Sequence, residues 1–271
     1  MKALSKIYIA LILLFLYAPV AVMIIFSFNA SKSVWSFGGF SLTWYKGLLN
    51  NSTMIAALEH TLVVALLSAF ISTVLGTAAA IGINALRSKT LKKATMSITK
   101  IPMMNADIVT GISLMLLFIF FGRKLGFQES LGFTTVLIAH ITFNLPYVIL
   151  SVMPRLNQLD PHLPEAAMDL GCTPVKAFFK VVLPYISTAI FTGLIMAFTL
   201  SLDDFVISYF TCGHYQTLPI VIFSMTKKSV TPDAYSLSTI IFISVFVLLI
   251  LYNFLQNKSL PKDRKKSVKG A

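Results

Sequence analysis

The sequence predicts an all-α integral membrane protein with six transmembrane helices, and three observations carry that reading. Of 271 residues, 56% are hydrophobic and only 12% are charged, about half the charge that a soluble domain of ordinary composition carries. Mean hydropathy is +0.82. Apolar runs of the ~20 residues that a helix needs to cross a bilayer recur along the whole chain. These are Ile7–Phe28, Thr61–Leu86, Ile101–Gly122, Phe133–Met153, Pro184–Phe210 and Leu237–Leu255. They leave no room for a large soluble domain, so residues 1–271 read as one membrane domain.

Each element has its own local argument. Lys2 and Lys6 ahead of the first run, with Ala18-Pro19-Val20-Ala21 behind it, imitate a secretory leader. The apolar stretch continues to Phe28, longer than a leader's ~7–15-residue core, so it is read as a span. The loop Asn29–Met54 is long and holds Trp35, Trp44 and Tyr45. Aromatics there suit a membrane–water interface. Trp44 is singled out because an indole face attracts ammonium groups. Arg123–Gly132 is a short connection, and Thr211–Ser236 is again long. Cys172 and Cys212 fall on opposite sides of this arrangement, so neither a disulfide nor a metal site is expected. There is no G-x-x-x-x-G-K-[ST] phosphate loop, and hence no ATP site of that kind. No cofactor and no catalytic residue is expected.

The formal net charge of +12 raises the question of nucleic acid, and the placement of the charge answers it. Sixteen of the 22 lysines and arginines fall on one side of the six-span arrangement: Lys2, Lys6, Arg87, Lys89, Lys92, Lys93, Lys100, Arg155, Lys176, Lys180 and the six of the tail from Lys258 to Lys269. The opposite loops hold Lys32, Lys46, Arg123, Lys124, Lys227 and Lys228. Basic residues gather on the cytoplasmic side of membrane proteins, so both termini are expected inside. The basic tail reads first as an orientation signal and second as a lipid or partner contact.

One polar stretch interrupts the oil. Pro164 and Glu165 suit the first turn of a helix. Gly171 is placed to close that helix in the left-handed conformation, and Thr173-Pro174 restarts a second as N-cap and N1. Val175, Phe178, Phe179 and Val182 then form one apolar stripe, with Lys176 and Lys180 on another face. Glu165 and Asp169 share a face of the first helix, beside Ala166 and Ala167, which offer small contacts suited to a partner's groove. By spacing alone, an ordinary amphipathic connector would look the same.

The letters go further. Glu165-Ala166-Ala167, Gly171 and the closing Val182-Leu183-Pro184 resemble the E-A-A signature of the permeases of ABC importers. The resemblance extends over nearly the whole chain. Phe40-x-x-x-Trp44-Tyr45, Asp107-Ile108-Val109, His140-Ile141-Thr142-Phe143-x-Leu145-Pro146 and Phe198-Thr199-Leu200-Ser201-Leu202-Asp203-Asp204 are similar to spermidine/putrescine permease subunits. That resemblance implies the MetI-like fold shared by methionine and maltose importers, in a bacterial cytoplasmic membrane. It implies that residues 161–183 form coupling helices docked on an ATPase through Glu165, Ala166, Ala167, Asp169 and Gly171. It also implies a second permease subunit, two ATP-binding subunits and an extracellular polyamine-binding protein.

Of the ten acids, Asp107, Asp203 and Asp204 lie inside apolar runs that hold no lysine or arginine except at their ends. A carboxylate near a helix centre costs several kcal/mol, so it faces a cavity or a partner. Three such anions ask for a polyamine, a proton or a partner's arginine, unless the carboxyls stay protonated. Asp107 reads equally as the cap of a helix starting after Met104; the match to polyamine permeases favours the pathway. Asp203 and Asp204 point ~100° apart on a helix, so one is expected in the pathway and the other against a partner. Thr199 and Ser201 give each a polar neighbour, and Asp204, on the face of Ser201, is expected in the pathway. His140 and Asn144, one turn apart, suit interhelical hydrogen bonds or pathway lining. Three other functions compete with this one. An anion carrier of the same fold wants arginines in its path. An intramembrane aspartyl protease pairing Asp107 with Asp203 or Asp204 wants glycine-flanked aspartates. It also leaves the E-A-A stretch unexplained. A proton-coupled carrier is the third alternative, separated by whether an ATPase copurifies with the chain.

Overall fold

A computed structural model describes residues 2–31, 36–49, 51–126, 130–228, 235–244, 246–247 and 250. Lys32, Trp35, the end of the sixth expected span and the basic tail lie outside the described residues. The elements are α1 (Lys2–Ser27), α2 (Thr43–Leu49), α3 (Ser52–Ala85), α4 (Lys89–Met104), α5 (Asp107–Lys124), α6 (Phe133–Gln158), α7 (His162–Asp169), α8 (Pro174–Ala177), a π-helical turn (Phe178–Val182), α9 (Leu183–Asp203), α10 (Val206–Thr211) and α11 (Leu218–Lys228). A further apolar helix, α12, covers Tyr235–Ser244. No strand occurs among the described residues, only an isolated bridge between Asn29 and Phe40.

By length and composition, four helices can cross a membrane, and five if α4 and α5 form one bent span. Two of the expected spans differ in detail. The third was expected to run through Ile101–Gly122, but Ile101–Met104 belong to α4, which is turned 100° from α5. Asn105 and Ala106 are both extended, so the helical hydrogen-bond ladder stops there and restarts at Asp107. α4 keeps its own start, with the Ser88 hydroxyl accepting from the Leu91 amide. The fifth span was expected as one helix over Pro184–Phe210; it begins earlier and breaks before its end. Helical structure runs from Pro174 through the π turn to Asp203. The wide turn lies where Pro184, lacking an N–H and crowding the carbonyl four residues back, would strain an α-helix.

The chain forms two compact units, Met1–Ala56 with Val221–Ala271, and Ala57–Ile220. In the first, α1 is exposed along its apolar length and ends in a folded loop. Buried Asn29 organises that loop: its amide donates to the Ser36 carbonyl and its side-chain oxygen accepts from the Gly38 amide at 2.7 Å. The Trp44 indole donates to the Asn29 carbonyl, and the Tyr45 and Ser27 hydroxyls pair at 2.6 Å.

In the second unit the core is built from α3, α6 and α9. Ala69, Ala80, Val148, Val152, Ile186 and Ala197 pack there with almost no exposure. Gly76 lets α3 approach α6, since a Cβ at that position would stand 2.7 Å from Val148. α10 lies on α5, where a Cβ at Gly111 would meet Phe210 at 2.9 Å. Small residues at close helix contacts are the usual means of packing in lipid, where burial of apolar surface drives little association.

Candidate functional site

Two interruptions of helix hold most of the singled-out residues, Asp107 and Trp44 lying elsewhere. The first is the corner between α7 and α8. α7 ends in a closed hydrogen-bond motif: the Cys172 amide reaches the Ala167 carbonyl and the Gly171 amide the Met168 carbonyl. Gly171 has φ +86°, a conformation open to glycine and unfavourable for other residues. Thr173 then caps α8 by accepting from the Lys176 amide, with Pro174 at its first position. Glu165, Ala166, Asp169 and Gly171 are exposed, and Ala167 is half-buried. His162 pairs with Glu165 at 3.1 Å, and that hydrogen bond, aided by Asp160, raises the histidine pKa. The apolar stripe expected over Val175–Val182 is split by the π turn. Val175 and Phe179 point outward together with Leu163 and Leu170, and Phe178 and Val182 are partly buried.

The second interruption is the break between α9 and α10. Asp204 is extended, with φ −65° and ψ 116°, and ends α9. Its carboxylate accepts from the Ile207 amide at 3.4 Å and the Ser208 amide at 2.8 Å, supplying partners for donors that open α10. His140 of α6 bridges the break. Its Nδ1 contacts the Ser201 hydroxyl of α9, and its Nε2 lies 2.9 Å from the Ser208 hydroxyl of α10 and 3.4 Å from Asp204. Ser201 reaches on to Ser68 of α3 at 3.0 Å. Thr135 of α6 holds the far end of α10 through the Thr211 carbonyl. The side chains of His140 and Asp204 are only 2% and 8% exposed. Ser201, His140 and Asp204 are connected in the order of a hydrolase triad, but a serine hydroxyl 3% exposed offers no room for a substrate carbonyl.

The two adjacent acids therefore differ. Asp204, expected to face the pathway, is turned inward onto His140 and α10. Asp203 is exposed at the last turn of α9. There the helix carbonyls add negative potential to the carboxylate, whereas the amides of α10 offset it at Asp204. Ser201 lies in the His140 cluster and is no open neighbour of either acid. Thr199 is half-buried and donates to the Ile195 carbonyl at 2.9 Å. Asp107 is exposed at the first position of α5, and Ala106, the capping residue, makes no side-chain bond. Trp44 lies in the other unit, with its indole N–H committed to Asn29. Asn144, one turn beyond His140, is fully buried, and neither atom of its amide has a hydrogen-bond partner among the described residues.

The sequence gives no indication of Ser208 or Ser68, and for His140 it offers interhelical hydrogen bonds or pathway lining without a partner. The available signal was small: a histidine in an apolar helix, and serines in two others. No group of three or more His, Cys, Asp or Glu among the described residues has the arrangement of a metal site.

With this geometry in view, comparison with known proteins identifies the chain. Residues 72–264 match the family described as the binding-protein-dependent transport system inner membrane component. The chain belongs to this family. It is 37% identical over 258 residues to the putrescine transport system permease protein PotI of Escherichia coli strain K12, covering 95% of this chain and 92% of that one. It is 38% identical over 246 residues to the spermidine/putrescine transport system permease protein PotC of Haemophilus influenzae, covering 90% and 93%. Among solved structures, a bacterial ABC transporter involved in import of the acidic polysaccharide alginate shares the fold with a TM-score of 0.73 at 16% identity, over 96% of both chains. As an inner-membrane transport component, this family member is a multi-pass permease. Its helix–glycine–helix corner and its broken apolar helix are parts of a transporter.

Proposed function

We propose that this permease is one transmembrane subunit of an ATP-driven importer of polyamines, spermidine or putrescine, in a bacterial cytoplasmic membrane. It works beside a second permease, two ATP-binding subunits that hydrolyse ATP, and an extracellular binding protein that delivers the solute. Both termini lie inside, as the distribution of lysine and arginine favours. The α7–α8 corner, with Glu165 to Gly171 exposed and Val175 and Phe179 facing outward, is the surface that docks on an ATP-binding subunit.

The observation that carries the solute class is Asp203. It is an exposed carboxylate at the negative end of an apolar helix, with no hydrogen-bonded cation among the described residues. A carboxylate there attracts an ammonium group, and shedding water strengthens the attraction. We assign Asp203 the role of cation step in the path, with Asp107 a further acidic position. The putrescine permease PotI and the spermidine/putrescine permease PotC, similar to this chain over most of their length, support the same solute class. Transport of radiolabelled putrescine and spermidine by the whole complex tests the assignment. Asp203→Asn keeps size and removes charge, and is expected to lower uptake about tenfold or more with an unchanged yield of complex. Uptake equal to that of the unmodified complex would exclude Asp203 as the cation step.

A further inference from the structure

His140 makes contacts on both sides of the break between α9 and α10. A span of this length that breaks in apolar surroundings frees backbone donors and acceptors, which must be matched inside the protein. At this break the matching comes from one carboxylate and one imidazole. Asp204 accepts the amides of Ile207 and Ser208, and His140 reaches both sides of the gap, to Ser201 before it and to Ser208 after it. The ring's two nitrogens are both engaged, so its orientation is fixed from both ends. Since Ser201 also touches Ser68, the ring is tied to α3 and α9 as well as α10. No other charged side chain is hydrogen-bonded or ion-paired within this cluster among the described residues.

The effect is to separate two identical neighbouring groups. Without the ring, Asp204 would keep only the Ile207 and Ser208 amides and lose the contact that ties it to α6. With it, Asp204 is committed to the protein and only Asp203 stays open. We infer that His140 is the positioning residue of this step of the transport path: it staples α9 to α10, holds Asp204 inward, and so leaves the attraction for a cationic solute to Asp203 and not to Asp204. This inference rests on the reading of Asp203 as the cation step.

A double-mutant cycle on the complete transporter separates the two ideas. Uptake of putrescine is measured at saturating binding protein for Asp203→Asn, His140→Leu and the double variant, beside the amount of permease recovered with its ATP-binding subunit. His140→Leu is expected to assemble normally and to lose about tenfold in uptake. His140→Gln, which keeps a donor and an acceptor near the ring positions, should regain at least about a third of it. Because His140 acts through the charge on Asp203, the double variant should fall no more than about twofold below Asp203→Asn. Losses that multiply in the double variant, or full uptake in His140→Leu, overturn the inference while leaving Asp203 in place. Absence of assembled complex in His140→Leu overturns it as well, unless Ser208→Ala, which removes a single contact, assembles and shows the same sub-multiplicative cycle with Asp203→Asn. Full uptake in Asp203→Asn instead removes the cation-step reading itself.

Discussion

The corner at Gly171 and the break at Asp204 interrupt helices for different reasons. At the corner, every instruction is local. A glycine takes φ +86°, a threonine caps the next helix, and a proline occupies its first position. Each of those preferences acts within about one turn of the chain. At the break there is neither glycine nor proline from Thr199 to Thr211. The interruption depends on a carboxylate that turns back onto the next helix and on a histidine contributed by α6, far away in sequence. A corner proposed as a docking surface can be autonomous, because a single local shape would serve a partner. The break inside the transport subunit rests on packing between helices far apart in sequence.

The comparison can be broken at either end, and the larger effect is expected at Asp204. Replacing Asp204 with alanine removes the acceptor for two amides and leaves the His140 Nε2 contact without its acid. The expected loss is about 2–4 kcal/mol of stability, combining a missing cap with buried groups left unpaired. Thermal unfolding of the detergent-solubilised complex should show it, together with lower recovery from membranes. Stability equal to the unmodified protein would mean that α10 starts without Asp204.

A smaller and more local effect is expected at the corner. Gly171→Val forces a side chain into the left-handed region, at a cost of about 1–2 kcal/mol. Nothing stands within 4 Å of the added Cβ, so the penalty is conformational and not a clash. Insertion into the membrane should be unaffected, and recovery of the ATP-binding subunit with the permease should fall. Unchanged recovery would show that the corner tolerates a different backbone path.

The smallest effect sharpens the electrostatics of the same corner. Glu165 hydrogen-bonds His162 and raises its pKa, with Asp160 contributing at longer range. The folded state therefore holds the proton more tightly than the unfolded chain does. The contribution is fully present below the ordinary histidine range and is lost as pH rises through the raised value. Both side chains are exposed, so the effect on stability is slight. NMR titration of the His162 ring should end above the ordinary range, and Glu165→Gln should return it there. A titration unaltered by that substitution would mean that the pair is not formed in solution.

The sequence alone determined the features that rest on composition or on neighbouring residues. Long apolar runs located α1, α3, α6 and α9 because the bilayer demands length and polarity of each helix separately. Gly171, Thr173 and Pro174 specified the corner because dihedral preference and capping act within one turn. Tertiary structure decided the rest. The 100° turn between α4 and α5 sits at Asn105 and Ala106, neither of which forbids a continuing helix. The π turn split a stripe that regular spacing placed on one face. Asp203 and Asp204 are the same residue type at adjacent positions, and no local rule distinguishes them. What distinguishes them is a histidine brought from α6, together with the amides of Ile207 and Ser208 that Asp204 accepts. The balance between a buried carboxylate and an open one is an energy of burial and hydrogen bonding, fixed only when the helices have packed.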